Sequence, residues 1–95
     1  MAGTLEYGAR FKLRRTTLSD STVIYEVTVE RHEITTLVYA LELTLGGEKT
    51  VHQVSPIGEA ADAPAWITKH VGTLGRQLAK GDSWPRLYQR WRADP

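Results

Sequence analysis

Two different spacings of apolar side chains divide this sequence. From about Phe11 to Val54 apolar and polar residues alternate, which is the two-residue repeat of half-buried β-strands. From Trp66 to Trp91 the apolar residues recur every three or four positions, as on an amphipathic α-helix. A sheet with one apolar face needs a cover, and helices that follow in sequence supply it. We therefore predict one two-layer α+β domain over residues 1–95, a four-stranded antiparallel meander followed by two C-terminal helices packed on one face.

The composition excludes several classes of protein. With 41% hydrophobic and 24% charged residues, it is typical of a soluble globular domain. There is no cysteine, so disulfides, thiolate zinc sites and thiol nucleophiles are excluded. The first residues lack the cationic start and apolar run of a signal peptide, and no segment reaches membrane-spanning length. We expect a cytoplasmic protein with no membrane partner, and the excess of arginine over lysine with no asparagine points to a bacterial source.

Turn signals separate the four predicted strands. A turn is expected at Ser19–Ser21, and the pair Gly46–Gly47 supplies the positive φ angles of a tight hairpin. In the last strand Val51 and Val54 have opposite parity, so its register and the face that His52 occupies stay open. The predicted strands are Ala9–Thr17, Val23–Glu30, Ile34–Leu45 and Thr50–Val54.

The polar face of the first strand carries a basic row formed by Arg10, Lys12 and Arg14. Such a row suits the tracking of phosphates, so it is one candidate nucleic-acid-binding surface. If the first two strands form a hairpin with their apolar faces aligned, the row lies opposite Glu26 and Glu30. One register pairs Arg14 with Glu26 and Arg10 with Glu30. A second register pairs Lys12 with Glu26. Either register neutralises the row, which favours a structural role.

The first predicted helix runs to about Lys80, with Asp62 as its N-cap and Gly81 as its C-cap. Gly72 and Gly75 lie within it and are unfavourable for a helix, which suggests close packing of its backbone against the sheet. Its apolar stripe consists of Ile67, Val71, Leu74 and Leu78.

The second predicted helix begins after an N-cap at Ser83 and is the main candidate for partner binding. Arginine and aromatic side chains are enriched in binding surfaces. The competing interpretation is that its aromatic residues form a buried face and its arginines a solvated one. The candidate partner-binding residues are Trp84, Arg86, Arg90, Trp91 and Arg92.

No constellation for catalysis or metal binding is present in the sequence. His32, His52 and His70 do not stand at metal-ligand spacing. Ser55 and Ser83 have no recognisable base or oxyanion donor. We predict no catalytic residue, no metal and no cofactor.

These features are compatible with three functions. The first is a non-enzymatic interaction module that binds a protein partner, or a second copy through an outer sheet face carrying Ile24, Val38 and Ala40. The second is a nucleic-acid-binding domain that uses the basic row together with the C-terminal arginines. The third is a small-ligand site between sheet and helices near Tyr25, Tyr39, His52 and Trp66. The sequence favours the first.

Overall fold

The computed structural model describes residues 8–31, 36–45, 50–81 and 83–93 and shows an α+β fold. From one edge to the other, its antiparallel sheet consists of β4 (Val51–Ile57), β3 (Thr36–Thr44), β2 (Thr22–Arg31), β1 (Gly8–Leu18) and β5 (Leu87–Ala93). The fold class and the antiparallel sheet are confirmed, but the described residues form five strands and one α-helix, not four strands and two helices. In chain order the elements are β1 (Gly8–Leu18), β2 (Thr22–Arg31), β3 (Thr36–Thr44), β4 (Val51–Ile57), a 3-10 helix (Gly58–Asp62), α1 (Ala65–Lys80) and β5 (Leu87–Ala93).

The core lies between α1 and one face of the sheet. Alternate residues of β1, β2 and β3 point into it, as the two-residue repeat predicts. The helical stripe is also confirmed, since all four of its predicted members are buried. The largest fully buried side chains are Tyr25, Tyr39, Phe11, Leu13, Leu41, Leu43, Ile67, Val23, Val27, Val29 and Val71.

The β1–β2 hairpin has one of the two registers expected from the sequence. Arg14 lies opposite Glu26, and Arg10 lies opposite Glu30. The turn is fixed by Ser19, whose Oγ accepts a hydrogen bond from the backbone N–H of Thr22 at 3.0 Å. The basic row consequently points away from the core, on what we call the outer face of the sheet.

Strand β4 is longer than predicted and settles the orientation of His52. It continues to Ile57 because Pro56 is tolerated in an edge strand, where a missing N–H leaves no ladder bond broken. His52 lies opposite Leu43, on the helix-covered face. The expected Gly46–Gly47 turn and His32 lie outside the described residues.

The beginning of α1 differs from the prediction, and its end agrees. Asp62 is not the N-cap, because it closes the 3-10 helix instead, and Pro64 takes the N-cap position without a side-chain hydrogen bond. Gly81 is the C-cap as predicted, and its N–H donates to the carbonyl oxygen of Leu78 at 3.1 Å.

The prediction of a second helix is wrong. Residues 87–93 form strand β5, which pairs with β1, so Ser83 is not a helix N-cap. The apolar spacing of this segment fits both periods, since Tyr88 alternates with Leu87 and Gln89 as well as standing one helical turn from Trp91. A helix of so few residues is marginal in water. The strand gains ladder hydrogen bonds to β1 and places Tyr88 beside the buried Leu13, so tertiary pairing overrides the helical pattern.

Two glycines of α1 give a matched test of how closely this helix packs against the sheet. A Cβ at Gly75 would lie 2.6 Å from Cδ1 of Leu41 and 3.2 Å from the ring of His52, whereas a Cβ at Gly72 would meet nothing within 4 Å. We expect Gly75→Ala to lower the free energy of unfolding by about 1–2 kcal/mol through overpacking. Gly72→Ala should raise it by about 0.5–1 kcal/mol through helix propensity. Urea unfolding measures both, and equal effects of the two substitutions would contradict the close approach at Gly75.

Candidate functional site

The sheet brings two basic segments together as neighbours. Strands β1 and β5 carry six arginine and lysine residues between them and no aspartate or glutamate. A seventh cation, Arg86, directly precedes β5. Sequence reasoning assigned these segments to a strand and to a helix, and so missed that they lie side by side. The alternation of Leu87, Gln89 and Trp91 against Tyr88 and the arginines was the available signal.

The outer basic face is the surface that this pairing creates. We define it by Arg10, Lys12 and Arg14 of β1 together with Leu87, Gln89 and Trp91 of β5. Each residue lies directly opposite one on the other strand: Arg10 and Trp91, Lys12 and Gln89, Arg14 and Leu87. The side chains of Leu87 and Trp91 are 69% and 47% exposed.

The indole of Trp91 is held close to the backbone of β1. A Cβ at Gly8 would lie 2.8 Å from Cζ2 of Trp91 and would also collide with the backbone oxygen of Arg92. Glycine at this position therefore lets the ring lie over the sheet. Nearly half of the residue still faces solvent, at the position opposite Arg10.

Carboxylates of β2 partly neutralise the basic row, but Glu30 forms its ion pair with Lys12 and not with Arg10, the residue opposite it. Nζ of Lys12 lies 3.2 Å from Oε1 of Glu30, and Nη2 of Arg14 lies 3.0 Å from Oε1 of Glu26. Arg10 forms no ion pair with any residue that the structure describes. The Arg14–Glu26 pair is exposed and the Lys12–Glu30 pair is partly exposed. Contacts at the surface are worth about 0–1 kcal/mol, so an incoming anion can replace either carboxylate.

The five residues predicted to bind a partner do not form one surface. Trp84 is half-buried against the core, and its Nε1 donates to the carbonyl oxygen of Leu78 at 3.1 Å, which closes the end of α1. Arg90 and Arg92 lie on the helix-covered side of β5, opposite Phe11 and Ala9.

Arg90 makes a further contact there, and the remaining two residues, Arg86 and Trp91, lie elsewhere. The guanidinium of Arg90 stacks over the ring of Tyr88, 4.1 Å from its centroid, and is thus engaged within its own strand. Trp91 alone of the five lies on the outer basic face, and the exposed Arg86 lies at the end of that face. There, Arg14, Arg15, Arg86 and Leu87 line a cavity of about 540 Å³.

A second groove runs between α1 and β5 on the covered side. Its volume is about 380 Å³, and His70 lies in it with its ring 4.7 Å from that of Phe11. Burial, with a smaller contribution from Arg92, lowers the pKa of His70 below its ordinary value. The groove is lined by Trp66, Lys69, His70, Thr73, Gln77 and Arg92.

Two of the residues expected around a small ligand, Tyr25 and Tyr39, form hydrogen bonds that hold the fold together. The hydroxyl of Tyr25 donates to the carbonyl oxygen of Pro85 at 2.7 Å, and burial raises the pKa of Tyr25. The hydroxyl of Tyr39 shares a hydrogen bond of 2.9 Å with Oγ1 of Thr68. Both groups therefore tie the covering segments to the sheet.

Other classes of site gain no support from the geometry. Within residues 8–31, 36–45, 50–81 and 83–93, no three histidine, aspartate or glutamate side chains converge as metal ligands. None of the helices in these ranges is long and apolar enough to cross a membrane. Comparison of the chain with protein-family models, curated proteins and solved structures gives no match.

The lowered pKa of His70 predicts how stability depends on pH. The unfolded chain binds a proton at this histidine more readily than the folded chain, so the free energy of unfolding should fall as pH drops through about 6.5 and level off below the folded-state pKa. Urea unfolding between pH 8 and 5 measures this for the wild type and His70→Gln. We expect a shallower dependence in the variant, and an unchanged slope would contradict the burial of a neutral imidazole.

Proposed function

We propose that the protein is a non-enzymatic binding module for single-stranded nucleic acid, and that the outer basic face is its binding surface. The observation that supports this most is the β1–β5 register, which sets the exposed Trp91 opposite Arg10, at one end of a row of three cations. Proteins that bind single strands combine a cationic track for the phosphates with aromatic rings on which bases stack. The outer basic face provides both kinds of contact on one surface.

The dimensions of the face suit an extended strand. Successive outward residues of a β-strand stand about 6.8 Å apart, so the row from Arg10 to Arg14 covers about 14 Å. Exposed lysine and arginine side chains are long and adjust to the spacing of phosphates. Leu87 and Trp91 give apolar and aromatic surface along the same length. A few nucleotides can therefore contact cations and ring together.

The shape of the face favours a single strand over a duplex. Helix α1 covers the opposite side of the sheet, and no helix in the described ranges projects from the outer face toward a groove of double-stranded DNA. Stacking on Trp91 requires an unpaired base, which a single strand presents and a duplex does not.

A protein partner is the second candidate, and the exposed edge of β5 favours it. β5 ends the sheet, and Leu87 is the most exposed large apolar side chain among the described residues. An extended peptide can add to such an edge. Antiparallel pairing of two β5 edges would bring the arginines of both copies together, which is destabilising, so an acidic strand fits better than a second copy.

Removal of two charges tests the proposed surface. Arg10→Gln with Lys12→Gln should weaken binding of a fluorescent thymidine dodecamer about tenfold and reduce the slope of log K against log salt by about 1.4, since each phosphate contact to a single strand contributes about 0.7. The matched control is Arg76→Gln with Lys80→Gln, which removes the same charge from the exposed side of α1. Fluorescence anisotropy measures the affinities, and equal weakening by both pairs would contradict a binding surface on β1.

The ring gives an independent reading. If a base stacks on the indole, Trp91→Leu should weaken the binding free energy of the same oligonucleotide by about 1–3 kcal/mol. The circular dichroism spectrum of the protein should be unchanged. If the natural partner is an acidic peptide, the surface recognises negative charge alone. A normal oligonucleotide and its abasic counterpart would then bind equally through their phosphates. Equal binding of normal and abasic strands would therefore favour the protein-partner candidate.

Neutralising the two carboxylates beside the row should act in the opposite direction. Because Glu26 and Glu30 compete with phosphates for Arg14 and Lys12, their replacement by glutamine should tighten oligonucleotide binding several-fold. Glu59→Gln with Asp62→Asn removes equal charge from the 3-10 helix and serves as control. The same anisotropy titration applies, and no gain over that control would place the phosphates elsewhere.

A further inference from the structure

The cavity at the end of the outer basic face has its own chemistry. We call it the rim pocket and define it by its lining residues Arg14, Arg15, Arg86 and Leu87. We propose that the rim pocket binds a terminal phosphate monoester of the bound strand. The identity of the strand rests on the proposed function, whereas the affinity of the pocket for a phosphate group rests on the three arginines alone.

Hydrogen bonds hold the wall of the pocket in place. The backbone N–H of Arg15 donates to the carbonyl oxygen of Arg86 at 2.9 Å. Nη1 of Arg15 donates to the carbonyl oxygen of Trp84 at 2.8 Å. Between them, the carbonyl oxygen of Pro85 accepts from the hydroxyl of Tyr25. Three consecutive carbonyl groups are thus anchored to the sheet, so Arg86 is presented from a fixed backbone.

The guanidinium groups are left short of negative charge. Arg14 pairs with Glu26, while the side chain of Arg15 donates to a neutral carbonyl and that of Arg86 has no ion pair with any described residue. Three cations and one carboxylate leave a net charge of +2 around the pocket. A phosphate monoester carries about −1.5 to −2 near pH 7, and guanidinium groups bind its oxygens in bidentate fashion. A phosphodiester carries a single charge and fits this excess less well.

The position of the pocket indicates the end of a strand. Arg14 belongs both to the basic row and to the pocket, so the two surfaces are continuous. Beyond Arg15 the register of β1 shifts, and the strand continues through Thr16–Leu18 without a cation. A nucleic acid lying along the row therefore meets its last positive charges at the pocket.

The test uses one thymidine dodecamer in three forms, with a 5′-phosphate, with a 3′-phosphate, and with hydroxyl groups at both ends. We expect one phosphorylated form to bind about tenfold more tightly than the hydroxyl form. Arg86→Gln should abolish that preference, and Arg76→Gln, which removes the same charge from α1, should retain it. Thermal melting with thymidine 5′-monophosphate, compared with thymidine, measures the pocket without a strand.

The outcomes separate the two proposals. Equal binding of all three forms would overturn the terminal-phosphate inference and leave the proposed function standing. If no form binds, the proposed function is contradicted, and the melting experiment decides the pocket. A rise in Tm that needs the monophosphate and disappears in Arg86→Gln supports a phosphate site, and no rise overturns it.

Discussion

The antiparallel pairing of β5 with β1 determines what this protein presents to solvent. Without it, β1 would be an edge strand with buried Phe11 and Leu13 on one face and an isolated basic row on the other. With it, the backbone of β1 is bonded on both sides, Tyr88 extends the core, and Trp91 is placed beside Arg10. The same contact that completes the sheet therefore assembles the outer basic face.

The electrostatics of that face follow from its neighbours. β2 supplies two carboxylates to the row, and these exposed ion pairs hold the cations in position while contributing little to stability. The rim pocket lies at one end of the row. Its three guanidinium groups have one carboxylate among them, that of Glu26, which pairs with Arg14. Uncompensated positive charge therefore lies at both ends of the row, at Arg10 and around Arg86, and is greater at the rim pocket.

Sequence reasoning succeeded where one face of an element is buried and the period is unambiguous. The two-residue repeat of β1–β3 and the helical stripe of α1 are predicted directly from the sequence. Aligning the apolar faces leaves two registers for the hairpin, and the structure has one of them. It failed at Leu87–Ala93, because Tyr88 and Trp91 fit a helix and a strand equally and only the long-range partner β1 decides between them. The candidate surface was missed with it, since adjacency of two distant segments is a property of the fold.

The indole signals of the three tryptophans give the most direct measurement. Trp84 is bonded to the end of α1, Trp66 lies in the covered groove, and only Trp91 lies on the outer basic face. In a ¹H–¹⁵N NMR titration with a single-stranded thymidine oligonucleotide, the indole signal of Trp91 should shift together with the amides of Arg10–Arg14, while the signals of Trp66 and Trp84 stay in place. Shifts confined to α1 and the covered groove, or no shift at all, would contradict binding at the paired strands β1 and β5.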